Sequence, residues 1–364
     1  MKIKSARLEN FMLFDDFEVL WSPNINVICG SNSTGKTALI KAMYSLLKAW
    51  QVTDIKKETR DFANKAFVDK ITGVFRPDDK LIGHLARRKQ GYSQCGCQIV
   101  LDDFRTLEAG FSSRARTRVD ILSYPPKNDD TDSGSSAIYL PPKEIISATE
   151  NFGYLYEERH IAFEETYYDL AKMLCRPLIK RDTATELKQV LNKLGETMKG
   201  SIVQRENRFY LQISQKEEYE MGLVSEGYRK LAMIAYLIKN GSLNANSVLF
   251  WDEPETNMNP KMIRPLVETI MQLAKLGVQV FITTHDYFLQ QYFNLAAVYP
   301  EANPDKLDFK FVSLYRSEEQ NAAVQYEEAF QVSDLEHNTI MEEFDAIYDR
   351  EQGFIYDHIP GFTG

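Results

Sequence analysis

The sequence predicts an α/β fold with a mostly parallel core sheet flanked by helices, an antiparallel β elaboration and a helical subdomain. An apolar run at residues 25–29 is followed by a glycine-containing loop and then by a helical pattern. Two further apolar runs, at residues 247–251 and 278–283, alternate with helical patterns. Apolar runs that alternate with helices in this way are typical of buried parallel strands.

The composition is that of a globular protein that has no membrane partner. The chain has 364 residues, which is long enough to bury a full core. No apolar run approaches the length of a membrane span, and the N-terminus lacks the apolar segment of a signal peptide. We therefore expect a cytoplasmic protein. A net charge of −9 argues against wholesale coating of nucleic acid, so DNA binding stays open but unsupported.

The N-terminal part of the chain is expected to carry most of the antiparallel strands. Residues 1–29 alternate in short apolar bursts, which predicts two or three strands that end at the loop. The helix after the loop is expected to pack one face on a sheet while Lys41 and Lys48 point outward. Residues 51–137 contain strand-like pieces between polar turns and are expected to form the antiparallel elaboration. Their basic clusters are more typical of a solvated face than of a nucleic-acid contact.

The middle of the chain is predicted to be a compact insert. Residues 161–199 have the pattern of two helices, and residues 201–214 that of a β-hairpin. No heptad repeat extends far enough to indicate a long coiled coil.

The loop at residues 30–37, Gly-Ser-Asn-Ser-Thr-Gly-Lys-Thr, has the spacing of a phosphate-binding P-loop. Its glycines let backbone N–H groups face inward, and the next helix adds its positive N-terminal end. Lys36 would reach the β- and γ-phosphates of a nucleotide, and the Thr37 hydroxyl would bind the Mg²⁺ that bridges them. A chance turn is disfavoured by the strand before the loop and the helix after it. The residues predicted to bind the nucleotide here are Gly30, Asn32, Ser33, Thr34, Gly35, Lys36, Thr37 and Ala38.

Two strand ends supply candidate catalytic and metal-binding side chains. The apolar run at 247–251 ends in Asp252 and Glu253. Such a strand end holds Mg²⁺ through its Asp in P-loop proteins, so Thr37 and Asp252 are the predicted metal ligands. Glu253 could then take a proton from the attacking water, although acidic residues also end strands for purely structural reasons. The run at 278–283 is followed by His285, which is predicted to donate to the γ-phosphate.

A helix is predicted to begin at Ser225, in the stretch Val-Ser-Glu-Gly-Tyr. Ser225 is well placed as its N-cap, and taken alone the pattern favours capping over a functional role. The functional interpretation of Ser225 and Gly227 gains weight only from the motifs around it.

With these motifs assembled, the chain resembles the ABC-type ATPase heads of the SMC, RecF-like and OLD-like families. The resemblance is strongest to compact AAA-family ATP-binding proteins of bacterial anti-phage defence. It rests on the opening Leu-Glu-Asn-Phe, the P-loop, the stretches at residues 139–144, 225–227, 250–253 and 255–260, and His285.

The resemblance implies a P-loop NTPase of the ABC-ATPase head type, with ATP and Mg²⁺ as cofactors. Its catalytic residues would be Lys36, Glu253 and His285. It also implies a homodimer or higher oligomer that sandwiches ATP, in which Ser225 and Gly227 cap the γ-phosphate bound by the other subunit. The corresponding division of the chain is an N-terminal ATPase lobe (1–150), a helical insert with a hairpin (151–220) and a C-terminal ATPase lobe (221–364).

Some features of the related families are missing from this sequence. No Gln stands at the Q-loop position, where the bend at Lys143 and Glu144 is the candidate, and neither a TOPRIM nuclease nor a coiled coil is evident. We therefore expect an ATP-operated switch that controls a separately encoded effector, a toxin or a nuclease, in anti-phage defence. The alternative is a DNA-repair head of the RecF or SMC kind that acts directly on DNA.

Overall fold

The computed structural model describes residues 1–53, 59–128, 132, 134–159, 161–179, 185–206, 208–316 and 323–357. The strands are β1 (Ile3–Phe11), β2 (Phe14–Leu20), β3 (Ile25–Gly30), β4 (Gln94–Leu101), β5 (Thr106–Ser112), β6 (Ile121–Ser123), β7 (Ser136–Leu140), β8 (Ser201–Arg205), β9 (Arg208–Gln212), β10 (Glu218–Glu220), β11 (Ser247–Asp252), β12 (Gln279–Thr284), β13 (Phe309–Tyr315) and β14 (Gln325–Ala329). The α-helices are α1 (Lys36–Val52), α2 (Arg60–Phe75), α3 (Phe152–Arg159), α4 (Glu165–Leu174), α5 (Thr185–Met198), α6 (Glu226–Lys239), α7 (Ile263–Lys275), α8 (Tyr287–Val298) and α9 (Thr339–Asp357).

The core is a six-stranded sheet in the order β14-β13-β3-β12-β11-β7. All its strand pairs are parallel except β13 with β14. Every residue of β3, β11 and β12 is buried, as expected for central strands that are covered on both faces. The sheet takes strands from both predicted ATPase lobes, and the division of the chain at residues 150 and 220 stays a prediction.

The N-terminal half adds a second, antiparallel sheet in the order β2-β1-β4-β5-β6. Helix α1 packs against this sheet as well as against strands of the core sheet, and α2 lies alongside it. The expectation that Lys41 and Lys48 of α1 face outward is therefore wrong: Lys41 is buried and Lys48 is half-buried. The reason is that α1 has protein on both sides rather than on one.

The opposite face of the core sheet is covered by α4 to α8, which share one apolar core with a small antiparallel sheet in the order β10-β9-β8. The predicted pair of helices and the hairpin within residues 161–214 are α4, α5, β8 and β9. The predicted fold class is thus confirmed: a mostly parallel sheet between helices, an antiparallel elaboration and a helical subdomain. Among the described residues, no helix has the length and apolarity that a bilayer crossing requires.

Candidate nucleotide-binding site

Three neighbouring strands bring the predicted site residues to one edge of the core sheet. Strand β12 lies between β3 and β11, and all three run parallel. The P-loop follows β3, Asp252 ends β11, and His285 follows β12. Because parallel strands end at the same edge, residues that are distant in the sequence meet there.

The P-loop depends on two glycines with positive φ. Gly30 has a φ of +142°, and a Cβ atom there would lie 2.2 Å from the carbonyl oxygen of Leu314. Gly35 has a φ of +96°, and its Cβ would meet the ring of Phe14 at 2.9 Å. Larger residues at these positions would clash and would be strained, so the turn between β3 and α1 requires glycine.

Lys36 folds back over the P-loop. Its Nζ donates to the carbonyl oxygens of Gly30 at 2.7 Å and Ser31 at 2.9 Å. Burial lowers the pKa of Lys36, and the nearby carboxylate of Glu253 opposes this shift. The ammonium group is thus held at the mouth of the loop, where anionic phosphates would bind.

Asp252 accepts hydrogen bonds from several hydroxyl groups. Thr37 donates to its Oδ1 at 3.0 Å, Tyr139 donates to its Oδ2 at 2.9 Å, and Thr283 also donates to Oδ1. Burial raises the pKa of Asp252, whereas these hydrogen bonds and the charge of Lys41 lower it. The carboxylate is therefore fixed beside the Thr37 hydroxyl at the start of α1.

The oxygen donors of Thr37 and Asp252 fit Mg²⁺. Among the described residues, no group of three His, Cys, Asp or Glu side chains is arranged to hold a metal ion. Mg²⁺ in phosphate sites needs only one or two carboxylates together with the phosphates, so the single carboxylate here is the expected arrangement.

Glu253 and His285 form a pair. The distance between Oε1 of Glu253 and Nδ1 of His285 is 3.1 Å. The backbone of Glu253 has a φ of 46°, and its N–H donates to the carbonyl and hydroxyl oxygens of Thr283, both at 3.1 Å. An unusual backbone conformation that is anchored in this way turns the Glu253 side chain toward the cavity above the P-loop.

Two cavities flank the P-loop. The first, of about 330 Å³, is lined by residues 32–38 of the loop and α1, by Glu253 and Lys41, and by the apolar side chains of Met12, Leu13 and Phe75. The second, of about 880 Å³, contains Gly30 and His285 together with residues of α9. The structure thus brings together the P-loop, Thr37, Asp252, Glu253 and His285.

Ser225 and Gly227 do not belong to this group. Neither residue, both of which the structure describes, lines either cavity. Ser225 is the N-cap of α6 by position, but its hydroxyl makes no capping hydrogen bond and the residue is exposed. Gly227 is buried, and a Cβ atom there would lie 3.4 Å from the Cγ of Met258 in the same chain.

The Q-loop candidate also lies apart from the first cavity. Glu144 accepts a hydrogen bond from Arg229 of α6 at 2.6 Å and another from the hydroxyl of Ser147 at 2.7 Å. Neither Lys143 nor Glu144 is among the residues that line that cavity. In this structure Glu144 is a link between the end of β7 and α6.

The sequence did not identify four further polar residues at the site. Tyr139 and Thr283 hold Asp252, as described above. Glu255 is 6% exposed, and its Oε1 accepts from the Thr284 hydroxyl at 2.7 Å and the His285 N–H at 3.3 Å. Lys230 is fully buried and donates to the carbonyl oxygens of residues 253, 254 and 256. For Tyr139, Thr283 and Lys230 the available signal was a polar residue inside or beside an apolar run, and Glu255 had no such signal.

The antiparallel half has two basic clusters, the first at residues 87–89 and the second at residues 114, 116 and 118, and their surroundings differ. Lys89 contacts Asn10 of β1 and Asp15 of β2, and Arg87 donates to the carbonyl oxygen of Leu13 in the turn between these strands. The three arginines at 114, 116 and 118 are exposed. The first cluster therefore has a structural use within the chain.

Two protein families match large parts of the chain. Residues 99–289 match the family described as "AAA domain, putative AbiEii toxin, Type IV TA system", and residues 1–175 match the family described as an AAA ATPase domain. The first match covers more than half of the chain. The protein therefore belongs to that AAA-domain family.

Curated relatives match over one short segment. The DNA replication and repair protein RecF of Chlamydia abortus is 54% identical over 46 residues, which are 13% of this chain and 12% of that protein. RecF of Halalkalibacterium halodurans is 43% identical over 49 residues, 14% of this chain and 13% of that protein. The matched segment is thus about an eighth of the length of these relatives.

Solved structures of SMC heads align over most of the chain at low identity. An SMC head domain from Thermotoga maritima is 14% identical, with a TM-score of 0.44, covering 90% of this chain and 99% of that one. An SMC head of Pyrococcus furiosus bound to the C-terminal domain of ScpA is 10% identical, with a TM-score of 0.49, covering 96% and 99%.

Proposed function

We propose that this protein is an ATP-binding and ATP-hydrolysing switch. It dimerises around ATP and controls a separately encoded effector, a toxin or a nuclease, in bacterial anti-phage defence. The observation that carries the nucleotide part is the hydrogen bond between Thr37 and Asp252 at the P-loop, next to the paired Glu253 and His285.

Each residue has a definite task in this proposal. Lys36 and the backbone N–H groups of the P-loop bind the phosphates. Thr37 and Asp252 hold Mg²⁺, which when bound neutralises charge on the phosphates. Glu253 accepts a proton from the attacking water, and its contact with His285 orients the carboxylate. His285 donates to the γ-phosphate.

The proposed dimer is supported by Ser225, which is exposed at the N-terminus of α6 and whose hydroxyl makes no capping hydrogen bond. A helix N-terminus is suited to bind a phosphate, so this end of α6 could contact ATP held by a second subunit.

The link to a toxin system is supported by the family description, which names a putative AbiEii toxin of a type IV toxin–antitoxin system. The alternative, a DNA-repair head that acts directly on DNA, is favoured by the short match to RecF. The two functions differ in what co-purifies: a second protein chain for the first, and nucleic acid for the second.

The nucleotide site is tested by Lys36→Ala. Lys36 supplies a buried cation at the mouth of the P-loop, so its loss should abolish or greatly weaken ATP binding without unfolding the protein. Titration calorimetry measures the affinity, and circular dichroism checks the fold. Equal ATP affinity in the variant and the wild type would refute the site.

The switch is tested by comparing Lys36→Ala with Glu253→Gln. Loss of a general base typically lowers the rate by a factor of ~10² to 10⁴. Glu253→Gln should therefore bind ATP and stay loaded, whereas Lys36→Ala should stay empty. We expect opposite retention of the effector on the two variants in a pull-down, together with slow phosphate release by Glu253→Gln. Identical retention on both would exclude the switch.

A further inference from the structure

An ion pair in the wall of the first cavity connects the P-loop helix to the helical insert. Nζ of Lys41 lies 2.7 Å from Oε1 of Glu164. The Lys41 side chain is 11% exposed, that of Glu164 is 37% exposed, and Lys41 lines the cavity. Lys41 lies four residues after Thr37 on α1, which places both side chains on the same face of the helix.

Glu164 immediately precedes α4. It is the N-cap position of α4, and its Oε2 accepts a hydrogen bond from the Thr166 hydroxyl at 3.3 Å. Further along α4, Asp169 accepts from Tyr44 of α1 and from Lys70 of α2. Those contacts lie deep between the helices, and the pair of Lys41 with Glu164 is the part of the connection that reaches the cavity.

The charges of this pair act on the groups that surround the predicted metal ligand. The charge of Lys41 lowers the pKa of Asp252, although burial raises it more. Burial raises the pKa of Tyr139, and the charges of Asp252 and Glu164 add to this effect. Independently of these shifts, Lys41 lines the same cavity as Thr37, one helical turn away, and Glu164 contacts Lys41 there. The pair is therefore close to the point where the γ-phosphate would be held.

Among the described residues that line the first cavity, the basic side chains are Lys36 and Lys41. Lys36 is the P-loop lysine, whereas the charge of Lys41 is compensated by Glu164. A terminal phosphate carries more negative charge than one carboxylate and offers several acceptor oxygens to the three donors of an ammonium group. A γ-phosphate would therefore compete with Glu164 for Lys41.

We propose that Lys41 is a second phosphate-binding residue that exchanges Glu164 for the γ-phosphate of ATP, and that ATP but not ADP thereby frees the start of α4. This inference rests on the proposed nucleotide site. After hydrolysis the γ-phosphate leaves and Lys41 returns to Glu164. The conformation at the start of α4 would thus depend on whether ATP or ADP is bound.

The affinity test compares Lys41→Met with Lys48→Met. Lys48 is on the same helix and donates to the carbonyl of Ala137, but it does not line the cavity. Titration calorimetry with ADP and a non-hydrolysable ATP analogue should show that Lys41→Met loses affinity for the analogue by about tenfold, with ADP affinity unchanged. Lys48→Met should keep the wild-type ratio of the two affinities.

The conformational test compares Glu164→Gln with Glu165→Gln. Glu165 is the next residue and pairs with Lys70, away from the cavity. Hydrogen exchange in residues 161–174 should be faster with the ATP analogue than with ADP in the wild type. Glu164→Gln should remove this difference because it lacks the charge that holds Lys41, whereas Glu165→Gln should keep it.

The outcomes separate this inference from the proposed function. If the wild type binds neither nucleotide, both are refuted together. If the wild type binds both nucleotides and Lys41→Met keeps the wild-type affinity ratio, only the role of Lys41 is refuted. Equal hydrogen exchange of residues 161–174 with the two nucleotides would refute the release of α4.

Discussion

The Glu255 carboxyl group is almost completely removed from water. Its Oε1 accepts two hydrogen bonds, and its Oε2 has no hydrogen-bond partner among the described residues. Burial raises the pKa of Glu255 from 4.5 to about 7. Between these two values the folded protein binds more protons than the unfolded chain, so this group makes stability fall as the pH rises.

Glu255→Gln should remove that pH dependence. Relative to the wild type, the variant should gain stability from about pH 4.5 to about pH 7, by up to about 3 kcal/mol, and the difference should stay constant above that range. Urea unfolding at pH 5 and pH 8 measures the gain, with Glu196→Gln, an exposed position on α5, as the control. A stability difference that does not change with pH would contradict the buried state of Glu255.

Tyr139 holds the carboxylate of Asp252, the predicted Mg²⁺ ligand. Tyr139→Phe removes the donor to Oδ2 of Asp252 without changing the ring, so Asp252 should be held less firmly beside Thr37. We expect ATP affinity in the presence of Mg²⁺ to fall several-fold, and affinity in EDTA to stay the same. Tyr44→Phe is the matched control because Tyr44 is also buried but donates to Asp169. Equal losses in both variants would mean that only packing has changed.

Some residues of the site could be identified from the sequence, and others could not. Lys36 and Thr37 lie in one short loop with a recognisable spacing, and Asp252 follows an apolar run, so local sequence was sufficient for them. Tyr139 and Thr283 contact Asp252 from strands that are 113 and 31 residues away in the chain. Their contribution depends on strand order and register, which the sequence alone does not contain.

Among the helices, α1 and α2 differ most from the sequence-based expectation. The apolar spacing of α1 correctly predicts a helix with a buried face. It does not show that the polar face of the helix is also covered by protein. The second layer consists of α2 and the antiparallel sheet, which come from other parts of the chain. Helix α2 was not predicted because its apolar residues form a weaker stripe, with β-branched residues and a glycine near its end.

Lys230 connects α6 with the segment after Asp252. Its buried ammonium group donates to the carbonyl oxygens of residues 253, 254 and 256, so Lys230→Met would remove a donor from all three. We expect a loss of about 2 to 4 kcal/mol in the free energy of unfolding. Lys239→Met is the control, because Lys239 ends the same helix and donates to one carbonyl, that of Ile202. Similar losses for both lysines, measured by urea unfolding, would contradict this role.

On the scale of the whole molecule, the site is formed by three segments that are distant in the sequence and adjacent in the fold. The P-loop, the end of β11 and the end of β12 become neighbours through the strand order β3-β12-β11. That meeting could be predicted because each segment is an apolar run followed by polar residues, and parallel strands end at a common edge. The position of α6 relative to this edge could not be predicted. The apolar residues of α6 indicate a buried face, but they do not show which element that face contacts.

The placement of α6 decides how the proposed dimer should be tested. Gly227 packs against Met258 of its own chain, so a bulky residue there would disturb the monomer as well as an interface. Ser225 is exposed and makes no capping bond, so Ser225→Arg leaves the monomer intact while obstructing the surface that would meet a second subunit.

We therefore expect a change of mass that depends on both ATP and Ser225. In the Glu253→Gln background, ATP with Mg²⁺ should convert the 42.0 kDa chain to a species of twice that mass by light scattering. Addition of Ser225→Arg should keep the protein monomeric while each chain still binds one ATP, because Lys36, Thr37 and Asp252 are unchanged. Lys36→Ala, which should bind no ATP, is the control for a monomer without nucleotide. A dimer that forms with ATP despite Ser225→Arg would exclude Ser225 from the interface, and a monomer under every condition would exclude the ATP-dependent dimer itself.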